Sequence, residues 1–143
     1  KDLTKKLDLN KFVEFHTKFL ADEDSLSQLS SSDLFVYPYK STGESASGAV
    51  RYGIATGKPV LVSPSPIFDD VSAAVHYMKG TTPSDIADCV MQVIKACNAK
   101  EPGFTEKLEG AKKWRASHGY PIISRRLSGM LQALHRENVQ SKV

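Results

Sequence analysis

Little in these 143 residues could form a disulfide, ligate a metal through sulfur or enter a membrane. Cysteine occurs twice, tryptophan once, and aromatic residues make up 8% of the chain. Cys89 and Cys97 fall on one stretch that reads as a helix, where a rise of about 1.5 Å per residue places them roughly 12 Å apart, too far for a disulfide. The four histidines, His16, His76, His118 and His135, are scattered, and no Cys or His pair has metal-ligand spacing, so neither a structural metal nor a cofactor is expected. No apolar run approaches about 18 residues. Residues 1–10, KDLTKKLDLN, lack the apolar stretch of a signal peptide. Together these absences predict a cytoplasmic chain that does not cross a membrane, with a peripheral contact at the inner membrane face as the furthest extension of that reading. Lys and Arg number 19 against 16 Asp and Glu, a net charge of +3, and the cations alternate with acids instead of forming a dense stripe. Nucleic acid is therefore not an expected partner.

What is present is a hydrophobic fraction of 41% and a charged fraction of 24%, which suit a single globular domain over residues 1–143. Leucines at 3, 7 and 9 give a weak helical pattern, and Phe12, Val13, Glu14, Phe15 and His16 alternate like a first short strand. Asp22, Glu23 and Asp24 then open a short helix, since acids suit its positive end. Residues 34–38 are an apolar run without alternation, as in a strand covered on both faces of a parallel sheet, ending at Pro38. Ala49, Val50, Gly53 and Ile54 share one face of a helix over 45–56, with Gly57 as its stop. Residues 59–63 form the third strand, and the two prolines within 64–70 prevent its regular continuation. Strand, helix, strand, helix, strand is the unit of an α/β fold with a parallel, Rossmann-like sheet. Residues 75–78 read as one more short strand. Thr82 caps a helix with Pro83 at its first position, and Ile86, Val90, Val93, Ile94 and Cys97 line one face of it. Residues 104–143 form a helical tail, with helices over 104–117 and 121–137. The second has Ile122, Ile123, Leu127, Met130, Leu131 and Leu134 on an apolar face.

Ligands of open parallel sheets bind beyond the carboxyl ends of the strands, which directs attention to loops 39–47 and 63–70. In the first, Thr42, Gly43, Ser45, Ala46, Ser47 and Gly48 place small residues and hydroxyls where a strand turns into a helix, and free N–H groups there suit a diphosphate. The plainer alternative is that Thr42, Ser45 and Ser47 cap the helix and Gly48 serves packing. Glu44 would repel a phosphate unless it faces something else, such as sugar hydroxyls; it could equally complement the helix dipole. Asp69 and Asp70 read either as an acid pair or as a helix start. Tyr37 and Tyr39 could stack on a base or sugar, with Tyr37 the more core-like of the two. His16, at a strand end on the same rim, reads as packed.

The stretch from Asp33 through Tyr37, Pro38 and Glu44 to Gly57, Lys58, Pro59, Val60, Leu61, Val62 and Ser63 resembles the donor-binding signature of glycosyltransferase family 4 and its relatives with the GT-B fold. In that signature a strand ending in proline leads to a glutamate, a small-residue turn, a helix with a second glutamate eight positions on, and a Gly-Lys-Pro-Val strand. The resemblance implies the C-terminal part of a GT-B enzyme that binds a nucleotide-diphosphate sugar and transfers the sugar with retention, without a metal. By position, Glu44 matches the first glutamate, near the donor sugar and so the catalytic candidate. Ser45, Ala46, Ser47 and Gly48 match the turn whose amides approach the diphosphate. Tyr52 stands where the second glutamate, which holds the ribose hydroxyls, would be; this departure implies a nucleotide held by stacking or by another side chain, or held weakly. Tyr39, Tyr52 and Ser63 are the candidate nucleotide contacts. Residues 44–51 also look like a variant found in bacterial polysaccharide assembly.

The resemblance further implies earlier strands and an acceptor domain that do not precede Phe12, so the acceptor, a glycan or lipid-linked sugar, would be met through that absent domain. An incomplete sheet would expose an edge at the first strand and favour self-association there. Two other readings compete: a noncatalytic α/β interaction module with a degenerate nucleotide site, docking partners through its basic surface and apolar C-terminal helix, and a flavodoxin-like phosphate or nucleotide binder.

Overall fold

A computed structural model describes residues 2–40 and 46–140, with the side chains of 138–140 set aside. Helix α1 spans Asp2–Lys6 and α2 spans Asp22–Ser30. Strand β1 (Phe35–Tyr37) is followed by α3 (Gly48–Thr56) and β2 (Val60–Val62). A 3-10 helix (Pro66–Ala74) leads to β3 (His76–Tyr77), and α4 (Pro83–Ala99), α5 (Pro102–His118) and α6 (Tyr120–Gln140) complete the order. The three strands lie in the order β1-β2-β3, all parallel. Val36 is opposite Leu61, and Leu61 in turn is opposite His76. The fold class is therefore the expected α/β with a Rossmann-like parallel sheet.

The strict alternation of side chains along a strand divides the core in two. Phe35, Val60 and Val62 face one side, where Val50 and Ile54 of α3, Phe68 and Val71 of the 3-10 helix and Ala111 of α5 cover them. Leu61 faces the other, with Cys89 and Val93 of α4 and Phe104 of α5. Both faces of β2 are covered, which is why its sequence is apolar without a break.

Local chemistry sets the element ends. The Ser47 hydroxyl accepts from the Val50 N–H at 3.4 Å at the start of α3, and Gly57 ends it with a φ of 77°, a left-handed conformation that favours glycine. Thr82 and Asp85 form a reciprocal capping box at α4, with Pro83 at the first position. Gly53 lets α3 lie directly on the sheet, since a Cβ there would come within 3.2 Å of the Tyr37 hydroxyl.

One expected element is not formed. Residues 12–16 are irregular and exposed, with Phe12 82% accessible. Alternation supplies a strand with two faces, but a strand also needs a neighbour to satisfy its backbone, and no described segment pairs with this one. The sheet edge on this side is β1 instead. The prolines at 64 and 66 end β2 as expected, and the chain turns there into a 3-10 helix whose Phe68, Val71 and Ala74 are buried.

Candidate functional site

The carboxyl ends of β1 and β2 and the start of α3 form one rim. Tyr39, just past β1, is half-buried; its ring lies 6.1 Å from that of Tyr37 and 5.7 Å from that of Phe68. Its hydroxyl shares a 2.9 Å hydrogen bond with the Ser47 hydroxyl, so the aromatic side chain after β1 is fastened to the cap of α3. Tyr37 donates to the Ala49 carbonyl at 2.8 Å. Burial, then the neighbouring Tyr39, raise its pKa, which keeps the phenol a donor.

Ser47 is buried, whereas Ala46, Gly48 and Ala49 are exposed. The first N–H groups of a helix lack intrahelical acceptors; Val50 is satisfied by Ser47, which leaves those of Gly48 and Ala49 at the positive end of the helix dipole. No described residue comes within 4 Å of where a Gly48 Cβ would be. Ser63, one residue beyond β2, is 1% exposed, and its hydroxyl has no partner among the described residues. Its N–H donates to the Tyr37 carbonyl at 3.1 Å, which places it on the same rim.

Arg51 is a site residue with little to mark it in the sequence. Its guanidinium donates to the Ser47 carbonyl at 3.0 Å and pairs with Asp70, which ties the start of α3 to the 3-10 helix. The signal for it was one cation in an otherwise small and apolar helix start. Asp70 is thereby part of an ion pair, and Asp69 sits beside it, exposed. Both acids lie near Tyr77, whose pKa is raised first by burial and then by their charges, and whose hydroxyl donates to the Phe68 carbonyl at 3.0 Å. Tyr52 is 37% exposed and donates to Asp22 at 3.0 Å, away from the core. His16 does not end a strand; it bonds Glu14 at 3.0 Å in the exposed N-terminal segment.

The structure thus brings Tyr39, Ser47, Gly48 and Ser63 to one rim, with Ala46 next to Ser47 in the chain and Tyr52 further along α3. Thr42, Gly43, Glu44 and Ser45 lie outside the described residues. Among the described residues, no three of His, Cys, Asp and Glu converge as metal ligands, and no helix is long and apolar enough to cross a membrane.

No family model matches the sequence, and no curated protein matches it. Among solved structures, the chain is similar to sucrose-phosphate synthase from Thermosynechococcus elongatus, with a TM-score of 0.66 at 16% identity over 95% of this chain. The chain spans 33% of that protein's length. At this identity the likeness concerns the fold, and what it supports is a GT-B-like α/β arrangement over nearly the whole chain.

Proposed function

We propose that this chain is the donor-binding part of a retaining glycosyltransferase that moves a sugar from a nucleotide-diphosphate sugar to an acceptor, in glycan or polysaccharide assembly. The observation that carries the reading is the start of α3 at the carboxyl rim of a parallel sheet, with Gly48 and Ala49 exposed and, on the same rim, a buried Ser63 hydroxyl that has no partner among the described residues. Strand ends of open sheets are where ligands bind, and helix starts favour anions. The likeness in fold to sucrose-phosphate synthase is consistent with it. In this reading the turn 42–48 offers N–H groups to the diphosphate. As the sugar–phosphate bond breaks, negative charge grows on the leaving oxygen, and donors already fixed there stabilise it without reorganising. Glu44 faces the sugar and orients it. Arg51, held to the Ser47 carbonyl and to Asp70, keeps the turn in place. The acceptor would be aligned by a further part of the enzyme.

A thermal-shift series with uridine, guanosine and adenosine diphosphates and their sugars tests this, because binding to the native state raises the midpoint. One base should raise it, and Glu44→Ala should remove the extra shift given by the sugar while sparing that of the diphosphate. No shift with any of them would favour the second reading, a noncatalytic interaction module. That alternative draws on one observation of its own: Leu127, Met130, Leu131 and Leu134 on α6 are each more than half exposed, a face suited to a partner.

A further inference from the structure

The face of β2 turned away from α3 borders a second concave surface. Leu61 of β2 and His76 of β3 stand opposite each other in the ladder and so project to the same side, that of α4 and α5. On α4, Cys89, Gln92, Val93 and Ala96 follow the spacing of one helical face, and the short Cys89 and Ala96 leave room that longer side chains would fill. Lys100, in a left-handed conformation, ends α4, and the chain turns into α5, which brings Phe104 and Lys107 to the opposite wall. The result is a cleft of about 490 Å³, within the size range of small-molecule sites.

Its floor is apolar, since Leu61, Val93 and Phe104 are buried. Its charged groups are few and mostly cationic. Lys107 is half-buried, and its ammonium donates to the Ser72 carbonyl at 2.9 Å, which holds it in place and leaves protons for other acceptors. Lys95 stands on α4 at the same cleft. Among the described residues neither lysine belongs to an ion pair. Glu101 also borders the cleft, so two lysines against one glutamate leave an excess of positive charge. His76 adds none, because desolvation, and after it the Lys107 charge, lower its pKa and keep the imidazole neutral. Withdrawing an ammonium from water without a counter-ion is costly. An anion seated over the apolar floor would offset that cost.

We propose that the cleft between α4, α5 and β3 binds a small organic anion, with its carboxylate or phosphate held by Lys107 and favoured by the charge of Lys95, and its apolar body over Leu61, Val93 and Phe104. The site is separate from the donor rim, because α3, Tyr39 and Phe68 pack on the opposite face of the sheet. It therefore stands whether or not a nucleotide binds at α3.

An NMR titration of the full chain with phenyl phosphate, inorganic phosphate and benzylammonium tests it. Phenyl phosphate should shift the signals of Leu61, His76, Val93 and Phe104 saturably. Inorganic phosphate should bind there about tenfold more weakly, for want of apolar contact, and benzylammonium should not saturate. Lys107→Met should weaken phenyl phosphate about tenfold, as expected for a hydrogen bond to a charged group. That change also removes the tie to Ser72, so Lys95→Met and Glu101→Gln, both at exposed positions, provide the readout that does not depend on it. The first should weaken binding about two- to threefold and the second tighten it by a similar factor, as for exposed charges. Affinity that neither of these two variants alters, equal affinity for benzylammonium, or the absence of any saturable shift overturns the assignment. Shifts confined to Gly48 and Ser63 would place the anion at the donor rim and overturn it as well.

Discussion

Burial decides the charge of His76. It sits on β3, its ring stacked on Phe104 with centroids 5.5 Å apart, and its Nε2 is buried without a partner among the described residues. Desolvation, and after it the Lys107 ammonium, lower its pKa, so the imidazole is neutral in the folded protein. Lys95 and Glu101 border the same cleft, which holds about 490 Å³. In the unfolded chain the ring takes up a proton near pH 6.5. The unfolded state therefore binds more protons between that value and the lower folded one, and stability falls as pH is lowered through this window. Above it His76 contributes no slope. Melting between about pH 7.5 and about pH 5.5 should show the midpoint dropping in the wild type and dropping less in His76→Gln. Equal slopes would assign the acid sensitivity to other groups. In the sequence His76 is one of four scattered histidines; its stacking on Phe104 joins residues 28 positions apart that only the tertiary fold brings together.

Between elements, α5 lies close against the 3-10 helix at Gly110. A Cβ added at Gly110 would overlap the Ala73 carbonyl, a backbone atom that cannot turn aside as a side chain could. Gly110→Ala should therefore destabilise by about 2–3 kcal/mol, the cost of forcing packed elements apart. Gly103, in the first turn of the same helix, has nothing within 4 Å of its would-be Cβ. Gly103→Ala should be neutral or stabilising by up to about 0.5 kcal/mol, from helix propensity alone. Urea unfolding of the two variants separates a steric cause from a propensity cause, and similar effects would refute the close-packing account. Gly110 carried no sequence signal, because it lies inside a strongly charged helical run and only its neighbour makes it special. Where the signal was local, the elements were legible: Thr82, Pro83 and the apolar spacing behind them placed α4, and Gly57 and Pro59 bounded the turn into β2. Residues 12–16 show the converse, since alternation is a local property and ladder pairing is not.

At the scale of the whole molecule, the β1 edge of the sheet is the feature with the most consequence. The Phe35 N–H donates to the Pro59 carbonyl at 3.0 Å, and the Tyr37 carbonyl accepts from Ser63 at 3.1 Å, so these two residues turn their backbone groups toward β2. By the alternation of a parallel ladder, the N–H and C=O of Val36 turn away from it. No described strand lies on that side. The Val36 side chain packs with the α4 face of the core while its backbone is left at a free edge, which is unusual for a parallel sheet and an invitation to pair with another chain. Which strand stands at the edge was not visible in the sequence, because the alternating run at 12–16 reads as a strand as readily as the unbroken apolar run at 34–38. The site was legible only as a rim: Tyr39, Ser47, Gly48 and Ser63 meet there, but the Arg51–Asp70 tie depends on where the 3-10 helix returns. Amide hydrogen exchange tests the edge directly. In dilute solution Val36 should exchange far faster than Leu61, whose strand is paired on both sides. If copies of the chain pair through this edge, protection of Val36 should rise with concentration in step with the mass measured by sedimentation. A Val36 amide protected at dilution in a monomer would mean that another segment of the chain already occupies the edge, and edge-mediated self-association would be ruled out.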